Sequence, residues 1–196
     1  MTMTGDLRKV ADYVHSFFNG QKMLERDGEL QILDGRKVWF ISDLHFGHKG
    51  IIPWCRADSF INIEEMHRVL IKNWNSAVDP DDRIFCLGDF GRLKFRSQLK
   101  GHIIMTQGNH DTKQWDKQYI LRYRNTKFLV VHDPKTAPDE YDGGWVVHGH
   151  SHRTAPFVDA VKRRVNVSCE VLRYCPVTME QIYAIVRESE QYPITR

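Results

Sequence analysis

Apolar residues in this chain recur with two different spacings, and each spacing predicts a different kind of element. Residues 4 to 18 carry an apolar face at helical spacing, so we expect a helix there. A second helix is expected over residues 62 to 75, where Asn62 and Glu65 have the spacing of a capping box. A third helix is expected to begin at Thr178, close to the C-terminal end of the sequence.

Unbroken apolar runs between these helices predict short buried strands. The runs read RIFCL, HIIMT, KFLVV and GWVVH. The segment LQILDGRKVWFIS holds two more β-rich runs around Asp34-Gly35, a residue pair that favours a two-residue hairpin turn. Apolar residues alternate from Val161 to Val171, which predicts a half-exposed strand. The whole pattern indicates a mixed α/β fold.

Polar clusters follow the predicted strands at the points where the apolar runs end. Strand ends and their loops are where layered sheets build functional sites. Each cluster alone is common, but five of them in this order are hard to obtain by chance. They are Asp43-Leu44-His45, Gly88-Asp89, Gly108-Asn109-His110-Asp111, His132 and His148-Gly149-His150-Ser151-His152.

The composition is typical of a soluble domain and does not by itself distinguish between functions. Hydrophobic residues make up 41% and charged residues 27% of 196 residues, which suits one domain with its own core. The net charge of +3 is too small a bias to argue for nucleic acid. No apolar run approaches the roughly 20 residues of a membrane span, and the four cysteines lack CxxC spacing. We therefore expect a cytoplasmic protein with free thiols and no membrane partner.

The donor atoms of the clusters suit divalent transition metals. Carboxylate, amide and imidazole groups without a thiolate favour Mn²⁺, with Fe, Zn²⁺, Co²⁺ or Ni²⁺ as alternatives. The donors outnumber what one ion needs, so two ions are expected, with the Asp89 carboxylate as a bridge. Two ions about 3.5–4 Å apart can activate a bridging water and hold both oxygens of a phosphoester displacement.

The ordered set DxH, GD, GNHD, H and GHxH, from Asp43 to His152, resembles the calcineurin-like metallophosphoesterases. The stretches FISDLHFGHKGII, LIKNWNSAV, FCLGDF and VVHGHSH further resemble the small prokaryotic and phage-like branch of that superfamily. The resemblance implies a four-layer α/β/β/α sandwich. We expect one domain over residues 1–196, with a helix and hairpin arm over residues 1–35 preceding a core of residues 36–196.

The resemblance also implies a role for each clustered residue. One ion would be held by Asp43, His45, Asp89 and His152, and the other by Asp89, Asn109, His132 and His150. His110 would act in catalysis by facing the substrate, and Asp111 would orient the His110 ring. Alternation alone would not choose among His148, His150 and His152, because all three lie on one strand face; only the family motif selects the last two.

The function implied is phosphoester hydrolysis by attack of a metal-bridging hydroxide, with a phosphodiester more expected than a monoester. His48 is a candidate for substrate binding, set against a structural role in its own loop. Asp133 either adds a ligand or alters substrate choice, or it simply starts a loop. The N-terminal extension would form an oligomer contact, a wall of the substrate site or extra core, and we favour extra core or a homodimer contact. One alternative is a nuclease, for which WDKQYILRYR would have to form a basic, aromatic groove. The other is an inactive metal-binding scaffold.

Overall fold

The computed structural model describes residues 23–26, 29–32, 37–139 and 141–191. The strands in these ranges are β1 (Met23–Arg26), β2 (Glu29–Ile32), β3 (Val38–Ile41), β4 (Arg83–Cys86), β5 (His102–Met105), β6 (Gln118–Tyr123), β7 (Thr126–Val131), β8 (Trp145–His148), β9 (Val158–Asp159), β10 (Arg164–Asn166) and β11 (Val177–Thr178). The α-helices are α1 (Ile63–Ala77) and α2 (Met179–Gln191). The helix predicted over residues 4 to 18 lies outside the described residues.

The described strands form two sheets. One has the order β1-β2-β6-β7-β8-β10-β9 and the other the order β11-β3-β4-β5. Strands β3, β4 and β5 pair in parallel, as do β7, β8 and β10. The predicted α/β fold, with two sheets and helices, is confirmed.

Helix α1 follows its sequence pattern closely. The Asn62 side chain accepts a hydrogen bond from the Glu65 backbone N–H at 2.8 Å, so one donor of the first turn is satisfied. The Glu65 carboxylate in turn accepts the Ile61 N–H at 2.8 Å. The buried face of the helix is the one that the apolar spacing predicts: Ile63, Met66, Leu70 and Trp74. Capping and burial therefore fix this helix together.

The four-stranded sheet is buried on both faces. Along β3, Val38 and Phe40 join the core between the two sheets, whereas Trp39 and Ile41 join the core beneath α1. Parallel strands covered on both sides need apolar residues at every position. This explains why the sequence shows unbroken runs here instead of alternation.

The predicted hairpin around Asp34-Gly35 is wrong. Strand β2 pairs in parallel with β6 in one sheet, and β3 pairs in parallel with β4 in the other. Both apolar runs do form strands, as predicted. A local turn signal, however, does not determine which sheet each strand joins. Because Leu30 and Ile32 are buried in the core between the sheets, this part of the N-terminal segment adds to the core.

The strand predicted from Val161 to Val171 is also wrong in extent. Only Arg164–Asn166 is a strand, and Val161 lies in a turn with 73% of its surface exposed. Beyond the strand, Val167 donates its N–H to His148 O at 2.8 Å and accepts the Ser42 N–H at 2.9 Å. This stretch therefore runs between the two sheets, buried on all sides. No helix among the described residues combines the length and apolar character that crossing a membrane requires.

Candidate metal centre

The two sheets end at a common edge, and the predicted site residues meet there. Asp43, Asp89 and Asn109 follow β3, β4 and β5, while His132 and His150 follow β7 and β8. The backbone N–H of His150 donates to the Asp43 carboxylate at 3.0 Å, which joins an end of one sheet to an end of the other. The carboxyl ends of parallel strands thus deliver both sets of donors to one place.

Five of the seven predicted ligands have positive backbone φ angles. They are Asp43 (60°), His45 (51°), Asp89 (51°), His150 (63°) and His152 (43°). This left-handed region costs a residue with a side chain about 1–3 kcal/mol, and such strain concentrates at functional sites. The fold therefore holds these side chains in an otherwise unfavourable conformation to bring them together.

Two glycines let the loops approach this closely. Gly88 has a φ of +77°, and a Cβ there would lie 2.6 Å from the Gly108 Cα and 2.7 Å from His132 Nδ1. At Gly149 a Cβ would lie 1.9 Å from the Ser42 hydroxyl oxygen. Neither position has room for a side chain.

The first ligand group consists of Asp43, His45 and His152, all of them buried. His152 Nε2 lies 3.8 Å from Asp43 Oδ1, and the His45 and His152 rings stack with centroids 5.4 Å apart. His45 Nε2 is buried without a hydrogen-bond partner. Burial, together with the charge of Arg56, lowers the pKa of His45 to about 2, so the ring is neutral and can offer a lone pair.

The second ligand group consists of Asn109, His132 and His150. Asn109 Oδ1 lies 2.9 Å from both His132 Nε2 and His150 Nδ1, and these two nitrogens are 3.3 Å apart. His132 Nδ1 donates to the Leu87 carbonyl at 2.7 Å, so its Nε2 carries the lone pair. Acceptor atoms this close together repel one another unless a proton or a cation lies between them.

Asp89 stands between the two groups. Its Oδ2 atom lies 3.5 Å from His45 Nε2 and 3.5 Å from His132 Nε2, and only 1% of the residue is exposed. The unpartnered His45 nitrogen, the close approach of His132 Nε2 to Asn109 Oδ1 and the lack of a thiolate among the predicted ligands all fit divalent cations. Asp89 Oδ2 is therefore within reach of a nitrogen of each group, and Asp43 also has a carboxylate oxygen within 4.8 Å of a His132 nitrogen.

Glu170 supports the site and was not predicted. Its Oε1 atom accepts a hydrogen bond from His152 Nδ1 at 2.9 Å, which turns His152 Nε2 toward Asp43. Although burial opposes charge on the ring, contacts with Cys55 and Glu170 raise the pKa of His152 to about 10. Burial likewise acts to raise the pKa of Glu170, but His152 and Arg56 lower it to about 2. The pair therefore favours a cation at His152 Nε2, whether a proton or a metal ion.

Arg56 is a second residue that was not predicted. It is fully buried, and its Nε atom donates to Glu170 Oε1 at 2.7 Å. The same guanidinium donates to the backbone carbonyls of Asp43 and Leu44. Arg56 thus neutralises Glu170 and fixes the loop that carries the first two ligands. Nothing in the spacing of the predicted motifs could reveal it.

His110 and His48 lie at the mouth of the site. Both are exposed, and their ring centroids are 5.3 Å and 5.4 Å from that of His45. The His110 backbone N–H donates to Asp89 Oδ1 at 2.8 Å, so the loop carrying His110 is held against the predicted bridging residue. Neither side chain lies within the clusters of ligand atoms.

Asp111 differs from its predicted role of orienting the His110 ring. Its carboxylate instead accepts three backbone N–H groups, those of Asp89 at 2.9 Å, Phe90 at 3.1 Å and Gly108 at 3.0 Å. A short side chain whose two oxygens are held by the backbone cannot also turn the neighbouring ring. Asp111 supports the two ligand loops instead.

The remaining candidates fall outside the ligand groups. Asp133 accepts the Lys135 N–H at 2.9 Å and begins a 3₁₀ turn (Pro134–Thr136). Of the roles considered for Asp133, this is the start of a loop and not an added ligand. His148 is buried and bonded to the Gly149 carbonyl at 2.8 Å, and burial lowers its pKa to about 4.

The segment WDKQYILRYR, which the nuclease alternative would use as a basic groove, lies largely within the larger sheet. Most of it is strand β6, in which Tyr123 is buried. Arg122 pairs with Glu29 at 2.9 Å, and Arg124 packs over the rings of Tyr123 and Tyr183. The side chains of Arg122, Tyr123 and Arg124 are therefore used within the fold.

Sequence and structure comparisons agree with this geometry. Residues 37–172 match the family described as the calcineurin-like phosphoesterase superfamily domain. An uncharacterized protein from Methanocaldococcus jannaschii is 35% identical over 167 residues, which cover 79% of this chain and 94% of that protein. The Gene 66 protein of Mycobacterium phage L5 is 33% identical over 83 residues, 38% of this chain and 39% of the phage protein.

A solved structure supports the fold. A protein of unknown function from Aquifex aeolicus superposes with a TM-score of 0.62 over 77% of this chain and 100% of that chain, at 22% identity. At this identity the likeness concerns the fold alone. The match over residues 37–172 supports a metal-dependent phosphoester hydrolase. The chain belongs to the calcineurin-like phosphoesterase superfamily.

Proposed function

We propose that this protein is a phosphodiesterase with two divalent metal ions, Mn²⁺ being the first choice. The observation that carries the proposal is the position of Asp89 Oδ2, 3.5 Å from a nitrogen of each ligand group. Asp43, His45, Asp89 and His152 would hold one ion, and Asp89, Asn109, His132 and His150 the other. When bound, the ions would supply Lewis-acid polarisation of the phosphoryl group and an activated water nucleophile.

The charge of such a site favours a phosphodiester. Two divalent cations, the carboxylates of Asp43 and Asp89 and one hydroxide leave a single positive charge. One negative charge, as on a phosphodiester, neutralises it. Glu170 and Arg56 cancel one another because they form an ion pair at 2.6 Å.

His110 would protonate the leaving oxygen. Its exposed ring stands beside the first ligand group, and its backbone is tied to Asp89, so the imidazole has a defined position at the mouth. The leaving group of an unactivated diester is an alkoxide, which needs a proton as the bond breaks. His48, whose ring centroid is 5.6 Å from that of His110, would contact the same substrate.

Replacing His110 with alanine tests this assignment. We expect His110→Ala to bind Mn²⁺ as the wild type does, because His110 is outside the ligand groups. Turnover of an unactivated phosphodiester, whose leaving group is an alkoxide, should fall about 10²- to 10⁴-fold, the usual range for a lost general acid. The loss should be smaller for bis(p-nitrophenyl) phosphate, because p-nitrophenolate leaves without a proton. His102→Ala is the matched control, since His102 is also exposed but lies on β5.

Substrate comparison completes the test. The Mn²⁺-loaded protein is assayed with a phosphodiester, a phosphomonoester and an oligonucleotide, and the diester should be turned over fastest. Loss of metal from His110→Ala would contradict the role assigned to His110, and a metal-loaded protein inert toward all three substrates would contradict the proposed activity.

A further inference from the structure

One aromatic side chain beside the metal centre is exposed to solvent. Trp54 has 67% of its surface exposed, whereas Trp39, Trp74 and Trp145 are buried. A tryptophan side chain can bury about 150–250 Å² of surface, so leaving most of it in water forfeits hydrophobic stabilisation. The exposure of Trp54 therefore calls for a reason other than folding.

The indole lies next to a predicted metal ligand. The Trp54 and His152 ring centroids are 4.9 Å apart, with the planes at 85°, and His152 in turn stacks on His45. Trp54 is thus separated from His45 by one ring. Because the two ring planes are nearly perpendicular, the contact with His152 uses at most one of the two faces of the indole.

The backbone around Trp54 is anchored on both sides. Ile51 and Arg56 are fully buried, and Trp54 lies between them on a π-helical turn (Ile52–Arg56). Such turns are rare and are often found at functional sites. Because Arg56 is bonded to Glu170 and to the ligand loop, the turn that carries Trp54 is held in place beside the site.

We propose that Trp54 is a stacking surface for a planar ring carried by the phosphoester substrate, either a nucleobase or an aryl group. This rests on the proposed function, since it is the phosphate at the metal centre that brings the ring to Trp54. An exposed indole on an anchored turn gains most from another flat ring, and one base stacked on an aromatic side chain is held about 5- to 150-fold more tightly.

Paired ligands that differ only in the ring test the proposal by calorimetry on the Mn²⁺-loaded protein. The pairs are adenosine 5′-monophosphate with ribose 5-phosphate, and phenyl phosphate with ethyl phosphate. The wild type should prefer the ring-bearing member of at least one pair by about 5- to 150-fold, and that pair identifies the kind of ring. Trp54→Ala should abolish the preference and leave the affinity for ribose 5-phosphate and ethyl phosphate unchanged.

Ile61→Ala is the matched control, because Ile61 is 88% exposed and has no ring to stack. It should keep the preference of the wild type. The proposal is overturned if the wild type shows no preference in either pair, or if Trp54→Ala weakens both members of a pair equally. Turnover of bis(p-nitrophenyl) phosphate by the same samples is a separate readout. If the ring preference is present but no turnover is measured, the proposed function is contradicted, whereas the role of Trp54 as a stacking surface is supported.

Discussion

At the scale of single residues, the site depends on the hydrogen-bond partners that orient the predicted ligands as much as on the ligands themselves. His132 is oriented by the Leu87 carbonyl, and His152 is oriented by Glu170. Such partners fix the tautomer and the direction of the ring, and metal affinity depends on both. The carboxylate of Glu170 therefore belongs to the metal centre although it touches neither predicted ion site directly.

Replacing Glu170 with glutamine should weaken metal binding. The amide oxygen can still accept from His152, but the negative charge that favours a cation on the ring is lost. We expect the Mn²⁺ dissociation constant, measured by calorimetry, to rise about 10- to 100-fold.

Glu190→Gln is the control for this change, since Glu190 also pairs with arginines, Arg163 and Arg187, but lies on α2. It should leave the dissociation constant unchanged. An unaltered affinity in Glu170→Gln would show that Glu170 has no part in the metal centre.

The sequence allowed the metal ligands to be predicted, but not the residues that orient them through hydrogen bonds. The predicted ligands follow apolar runs in recognisable motifs, and the structure brings all seven to one edge. Glu170 and Arg56 are 114 positions apart and meet only because the chain folds, so no local pattern could pair them. Asp111 was predicted as a site residue, but its partners are backbone groups that a motif does not show.

At the scale of elements, the turns that follow the strands determine the geometry of the site. The runs RIFCL, HIIMT, KFLVV and GWVVH and helix α1 were predicted from spacing, because burial dictates their side chains. The hairpin and the strand from Val161 to Val171 were wrong, because pairing between distant strands overrode the local signals. The close packing of the turns at Gly88 and Gly149 could not be predicted from the sequence, because it depends on residues distant along the chain.

Gly88→Ala should show how tightly these turns are packed. An added methyl group would combine the cost of positive φ with contacts below 3 Å to Gly108 and His132. Gly143 has a similar φ of +67° with nothing within 4 Å of a Cβ, so Gly143→Ala measures the conformational cost alone.

The difference between the two variants isolates the packing at the site. We expect Gly88→Ala to lower the free energy of unfolding by about 1–3 kcal/mol more than Gly143→Ala, as measured by urea denaturation. Equal losses would mean that the turn after β4 can relax and that its close packing is unimportant.

At the scale of the whole molecule, the two sheets contribute one half of the site each. Asp43, Asp89 and Asn109 come from the four-stranded sheet, whereas His132 and His150 come from the larger one. Ions bound between them would hold the sheets together, and binding at a hundred times the dissociation constant would add about 2.7 kcal/mol of stability per site. Metal binding, which the proposed activity requires, would therefore also stabilise the contact between the two sheets.

The central claim is that one carboxylate, Asp89, joins two metal ions in a single hydrolytic site. The measurement that tests it most directly is the number of Mn²⁺ ions bound per chain, determined by calorimetry and elemental analysis in the wild type and in Asp89→Asn. We predict two ions in the wild type, and a loss of tight binding at both sites in the variant. One ion per chain in the wild type, or two tightly bound ions in Asp89→Asn, would contradict the claim.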